Sequence, residues 1–171
     1  MDLKELLGGS AISMRKEDLG NVIGTSPDTY KEIIQLTFSK DMPACWRAAW
    51  MMDYLAELDP ALPKIYIGQI WEWLPDNHPD GVKRSTLRML CRYDIPEEQQ
   101  GLATDLCLDW LIKESIPVAV KAYSMEIMHK ITIAYPELKD EVIAILQDHM
   151  DNNSVAFMAR ARHIIRALEK L

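Results

Sequence analysis

Apolar residues recur along this chain with the 3.6-residue period of α-helices. Leu138, Val142, Leu146 and Met150 stand four apart, and Ile143 and Ile145 widen the stripe. Leu102, Leu106 and Trp110 repeat the pattern, flanked by Ala103 and Cys107, while Ile33, Ile34 and Thr37-Phe38 make a shorter stripe, as do Ile67, Ile70, Trp71 and Leu74. Spacings of three and four place such side chains on one face of a helix. No stretch alternates apolar and polar residues over the length of a strand, so the pattern predicts an all-α fold.

Proline punctuates these stripes at positions 27, 43, 60, 79, 96, 117 and 136, with intervals of 16 to 21 residues. Each precedes a segment of helical spacing, where a fixed φ and a missing N–H cost nothing. Most breaks also carry a capping neighbour: Ser26, Asp59, Asp80 and Glu137, with Asp151-Asn152-Asn153-Ser154 serving as the eighth break. Paired in order, the helices form four hairpins at about 27–58, 60–94, 96–134 and 136–171, expected to make a single domain over 27–171. The first 26 residues hold four of the seven glycines (Gly8, Gly9, Gly20 and Gly24), and are expected to contain one short helix near Met14–Val22 and a loosely attached end.

The hairpins resemble one another at a period of about 37 residues. Ile127, Met128 and Ile131 map onto Ile164, Ile165 and Leu168, and back onto Leu90 and Cys91; Lys121 maps onto Arg84. With a shift of one, Tyr54-Leu55 joins the set, and Arg47 falls against Lys83. The segments Ile116-Pro117-Val118-Ala119-Val120-Lys121, Gly81-Val82-Lys83-Arg84-Ser85 and Ser154-Val155-Ala156-Phe157-Met158-Ala159-Arg160 share a small or proline start, a basic residue in the second turn and paired aliphatics after it. In this they resemble the second helix of a HEAT or armadillo-type repeat. The resemblance implies a right-handed α-α superhelix of about four HEAT-like hairpins, with second helices on a concave face. A bundle of similar helices without stacking is the competing architecture, and the coincident aliphatic positions favour the solenoid.

Lys and Arg number 19 and Asp and Glu 26, a formal net charge of −7, which argues against a generic nucleic-acid binder. The charge is divided by helix. First helices (27–40, 60–76, 97–114, 136–151) carry 0, −1, −4 and −4, a total of −9; second helices (42–57, 79–92, 116–135, 153–170) carry −1, +3, +1 and +3, a total of +6. A concave lining of second helices would therefore be basic, with Arg84, Arg88, Arg92, Lys121, Arg160, Arg162 and Arg166 as its cations. That lining suits an acidic peptide, a phosphate-bearing ligand or a nucleic-acid backbone, and another protein or an acidic peptide is the expected partner ahead of nucleic acid. The residues expected to bind a partner are Trp46, Trp50, Arg84, Arg88, Lys121 and Arg160. The same cations could instead be paired internally, to Glu126, Glu169 and neighbouring acids.

Motifs that carry chemistry are missing. His78, His129, His149 and His163 show no metal-ligand spacing, and His78 is expected in a surface turn. There is no P-loop, G-x-G-x-x-G or G-x-S-x-G. Neither catalytic residues, a metal nor a cofactor is therefore expected. Cys45, Cys91 and Cys107 are odd in number and embedded in apolar sequence, which reads as buried reduced thiols in a cytoplasmic protein; neither a signal peptide nor a membrane span is expected. One enzymatic reading stands beside the interaction module. Trp46, Trp50 and Asp53 at i, i+4 and i+7, with Arg88 35 residues after Asp53, distantly resemble the aromatic, acidic and basic set of DNA alkylation repeat glycosylases. That resemblance implies excision of alkylated bases. The family's Trp-to-Asp spacing of four is replaced here by three. A third reading is a structural subunit docking through exposed terminal repeats.

Overall fold

The computed structural model describes residues 2–9, 14–75, 77–151 and 153–171. Asn152 of the expected cap cluster, Asp76 at the end of an expected first helix, and 10–13 of the N-terminal segment lie outside them. Among the described residues there are ten α-helices and no strand: α1 Leu3–Gly8, α2 Lys16–Ile23, α3 Pro27–Thr37, α4 Ala44–Leu58, α5 Ile67–Trp73, α6 Asp80–Leu90, α7 Glu97–Ile112, α8 Val118–Ala134, α9 Lys139–Met150 and α10 Val155–Leu168. The chain forms two compact units, Met1–Ile95 and Pro96–Leu171. No helix among the described residues is long and apolar enough to cross a membrane.

The punctuation acts as its chemistry requires. Pro43, Pro79, Pro96 and Pro117 directly precede α4, α6, α7 and α8. Ser26 Oγ accepts the Thr29 N–H at 3.2 Å, and Ser154 Oγ the Phe157 N–H at 3.3 Å, which caps α3 and α10. Two prolines behave differently. After Pro60 the chain turns, makes one 3-10 turn at Lys64–Tyr66, and enters α5 only at Ile67, because Pro63 removes a second N–H within the same turn. The expected helix over 60–76 is thereby shortened to seven residues. Pro136 likewise opens a 3-10 turn, Pro136–Leu138, before α9.

In the first unit α4 is the central helix, packed by α3 on one side and α6 on another. Tyr30 of α3 is fully buried, and its hydroxyl donates to Met52 O at 3.2 Å on α4 and lies 3.3 Å from Met89 Sδ on α6. Burial, ahead of nearby charges, pushes its phenol far above the ordinary range, so this hydroxyl stays protonated as a donor. Ile33, Ile34, Met51, Leu55, Leu87 and Leu90 of the same three helices are buried as well.

Residues 1–26 hold two helices where the pattern predicts one. Leu3 and Leu7 of α1 are buried, and Arg47 of α4 donates to Leu7 O at 2.8 Å, so this end is fastened to α4. In α2, Leu19 and Ile23 are buried, and Gly20 allows a close approach: a Cβ there would lie 2.6 Å from Tyr54 Cε1. Lys16 reaches over the same ring, 4.3 Å from its centroid, to Glu57 at 3.2 Å. Gly24, with φ 78°, ends α2 in a conformation that glycine adopts without penalty.

The second unit is two stacked hairpins, α7–α8 and α9–α10; α7 packs on α9 and α8 on α10, first helix on first and second on second. A repeat-length contact marks the stacking in the first unit. Tyr93 past the end of α6 reaches Ala56 O of α4 at 3.4 Å across 37 residues, while Tyr135 donates to Gln100 at 2.5 Å and closes the α7–α8 hairpin on itself. Two expectations change. His78 is buried rather than on the surface, with Nε2 2.8 Å from Trp73 O and its ring edge-on to Phe38, because the turn before α6 folds back onto α5. Cys45 and Cys107 are buried as expected, but Cys91 is only half-buried; none of the three is in a disulfide.

Gly20→Ala will lower stability by about 1 kcal/mol in denaturant unfolding, although alanine is the better helix former, because the methyl collides with the Tyr54 ring. In a Tyr54→Ala background the same change will be neutral or stabilising. An equal loss in both backgrounds would show that the ring is not the obstacle.

Candidate partner-binding site

The second helices of the first unit meet along one seam. From α4 it takes Trp46, Trp50, Asp53 and Glu57, spaced three and four apart; from α6 it takes Gly81, Arg84, Ser85, Arg88 and Arg92 just past the helix end. A Cβ on Gly81 would sit 3.5 Å from Trp46 Cβ, and Asp53 pairs with Arg88 and Arg92, so α4 and α6 lie side by side with their N-terminal ends together.

The C-terminal half of the seam is closed by charge. Asp53 has 1% of its side chain exposed, and Arg88 and Arg92, each about one-third exposed, both bond its carboxylate. Arg88 Nε is 2.5 Å from Oδ2; Arg92 Nη2 is 2.8 Å from Oδ1 and 3.0 Å from Asp53 O. Glu57 adds a further partner at 3.2 Å from Arg88. The sequence-predicted Arg88 is therefore committed to ion pairs within its own unit, with Asp53 and Glu57. Asp53, the carboxylate that an alkylated-base pocket would require, faces those arginines rather than solvent.

The N-terminal half is open. A cavity of about 270 Å³ is walled by Trp46, Trp50 and Arg47 of α4 and by Gly81, Arg84 and Ser85 of α6, with Met14 and Leu19 contributed from around α2. Trp46 is 38% exposed and Trp50 half-buried. Arg47 leans over the Trp46 ring, 5.3 Å from guanidinium carbon to centroid, while donating to Leu7 O. Arg84 is exposed and has no ion-pair or hydrogen-bond partner among the described residues. The Ser85 hydroxyl also has no partner among them, although Ser85 is only 5% exposed. Among the described residues no carboxylate lines the cavity. Its polar side chains are hydrogen-bond donors, and two indoles supply apolar wall, so the arrangement suits an anionic group attached to an apolar body.

Three of the six sequence-predicted residues, Trp46, Trp50 and Arg84, thus share one cavity. Lys121 and Arg160 belong to the second unit, and both are engaged there. Lys121 is 2% exposed: its stem is buried where α8 meets α10, and Nζ lies 5.8 Å from the Phe157 ring centroid. Burial pushes its pKa down, with Glu114 pulling in the opposite direction. Lys121 is therefore a packing residue rather than a surface cation. Arg160 pairs with Glu126 at 2.8 Å, the internal pairing anticipated for these cations. Arg162 and Arg166 are exposed on α10 without an ion-pair partner among the described residues.

Sequence reasoning missed Met14, Leu19, Gly81 and Ser85 as cavity residues. The signal for the α6 pair was available, because Gly81, Arg84 and Ser85 stand at i, i+3 and i+4 and form one stripe facing the 46/50 stripe.

Stacked hairpins with first helices on first and second on second define an all-α helical-repeat protein. The HEAT repeat domain matches residues 3–168, nearly the whole chain and including the N-terminal helices, and the chain belongs to that family. No curated protein and no solved structure matches it at a significant level. HEAT repeats commonly mediate protein interactions.

Replacing both Arg88 and Arg92 by methionine strands the buried Asp53 carboxylate and will lower unfolding free energy by about 3–5 kcal/mol. Asp53→Ala will cost less, since the one-third exposed arginines rehydrate; the reverse order in urea titrations would refute this account of the seam. Lys121→Met keeps the packing on Phe157 and removes a desolvated charge, so its melting temperature will equal or exceed that of the parent. The lysine's lowered folded pKa means the unfolded chain binds more protons just below the ordinary lysine pKa. The parent's deficit relative to Lys121→Met will therefore shrink as pH rises through that range.

Proposed function

We propose that the protein is a non-enzymatic HEAT-type interaction module of the cytoplasm, which binds an acidic partner protein on the second-helix face of its first unit. The supporting observation is the cavity between α4 and α6, where two tryptophans and an unpaired Arg84 meet with no carboxylate among the lining residues. Tryptophan and arginine in a partly desolvated pocket are the side chains that dominate protein interfaces. Cys45, Cys91 and Cys107, none of them in a disulfide, are in keeping with that compartment.

Alkylated-base excision finds less support. A carboxylate facing the base is its central requirement, and Asp53 has 1% of its side chain exposed. Arg162 and Arg166 on α10 add basic surface to the second unit, which would strengthen attraction to the same acidic partner at low salt.

Purified protein and an Arg84→Glu variant with an unchanged melting curve should be compared as affinity baits at low and at moderate salt. Acidic proteins captured by the parent at both salts will be lost or strongly reduced on the variant. Equal recovery on both baits refutes the assignment of this face.

A further inference from the structure

Resting on the reading of the protein as an acidic-partner module, we propose that the cavity between α4 and α6 is an anchor site for a linear acidic segment of the partner. One large apolar or aromatic side chain enters beside the indoles of Trp46 and Trp50. A carboxylate within a few residues of it is held by Arg84 and by the Ser85 hydroxyl.

Size selects the apolar anchor. At about 270 Å³ the cavity falls just below the roughly 300–1,000 Å³ of sites that enclose a small molecule, and it admits one side chain rather than a cofactor. Trp46 and Trp50 stand one turn apart on α4, which gives two adjacent aromatic surfaces. Gly81 holds the opposite wall back, since its missing side chain is the space an incoming group would take.

Charge selects the carboxylate. Arg47 is already occupied by Leu7 O and the Trp46 ring, so Arg84 is the free cation of the cavity. One guanidinium matches one carboxylate, through two parallel N–H···O bonds. A nucleic-acid strand needs several phosphate contacts to bind, and a chain of net charge −7 with one free arginine here does not offer them. Ser85 is the second polar group of the site. Its hydroxyl lines the cavity, has no partner among the described residues and can donate to an acceptor that enters there.

The test is selection of displayed random dodecapeptides on the intact protein, followed by anisotropy titration of fluorescein-labelled winners. The expected consensus has Phe, Tyr, Trp, Leu or Met within three residues of Asp or Glu. Arg84→Gln, an exposed change that leaves packing intact, will weaken binding about tenfold; Ser85→Ala will weaken it by a few-fold. Gly81→Leu, with circular dichroism to check its fold, will abolish binding by occupying the cavity, while Gly81→Ala, sterically mild at 3.5 Å from Trp46, will reduce it. Acidic winners that bind all four variants undiminished overturn the cavity assignment and leave the module reading standing. Winners without acidic residues, or no winners, overturn both. Tighter, Arg84-dependent binding of a labelled dodecadeoxynucleotide overturns the proposal in favour of nucleic acid.

Discussion

The Asp53 carboxylate, buried between α4 and α6, is the interaction on which the first unit depends. A carboxylate removed from water costs several kcal/mol unless its oxygens are fully bonded, and here Arg88, Arg92 and the geometry of one repeat supply the bonds. Those arginines retain about one-third of their exposure, so they satisfy the carboxylate without being wholly dehydrated themselves. Fixing Arg88 and Arg92 on Asp53 also fixes the rotation of α6 about its axis. With 88 and 92 turned to α4, Gly81, Arg84 and Ser85 must face Trp46 and Trp50 at the other end of the seam. The open cavity is thus a geometric result of the closed salt-bridge cluster.

Much of the fold could be read from the chain because its signals were redundant. A proline and an apolar stripe agree at α3, α6, α7 and α8, and a serine cap joins the stripe at α3 and at α10, where Ser154 stands in place of proline. Where signals conflicted, the reading slipped. Pro60 and Pro63 three residues apart make a turn rather than a helix start, which shortens α5. Four glycines within the first 26 residues read as flexibility when only the sequence is considered. In the structure Gly20 is a contact, with the Tyr54 ring in the space a side chain would fill, and such a contact shows only once the neighbouring helix is known.

The site was legible in part for a related reason. Trp46, Trp50 and Arg84 are recoverable from helical spacing and the repeat offset, since both depend on local geometry and stacking alone. Asp53 and Arg88 were legible as neighbours by the same offset, but not as an internal ion pair. Charge totals per helix treat every cation as equivalent, and burial divides them: Lys121 lies under Phe157, Arg160 is taken by Glu126, and Arg84 remains free. Rotation of a helix by a fraction of a turn decides which of these outcomes a lysine or arginine meets, and sequence period alone leaves that rotation open by tens of degrees.

The wall formed by Gly81 has an evolutionary consequence. The capacity of the cavity is set by a side chain that is missing from a helix whose other residues do the packing, so single nucleotide changes at this codon could resize it without disturbing the Asp53 cluster. Adding a methyl there would gain helix propensity, though less than at a mid-helix position because Gly81 is the second residue of α6, so stability and cavity volume pull in opposite directions at one position. Retaining glycine sacrifices stability to keep space. A side chain at Gly81 can therefore fill space beside Trp46 while leaving untouched the arginines that hold the repeat together.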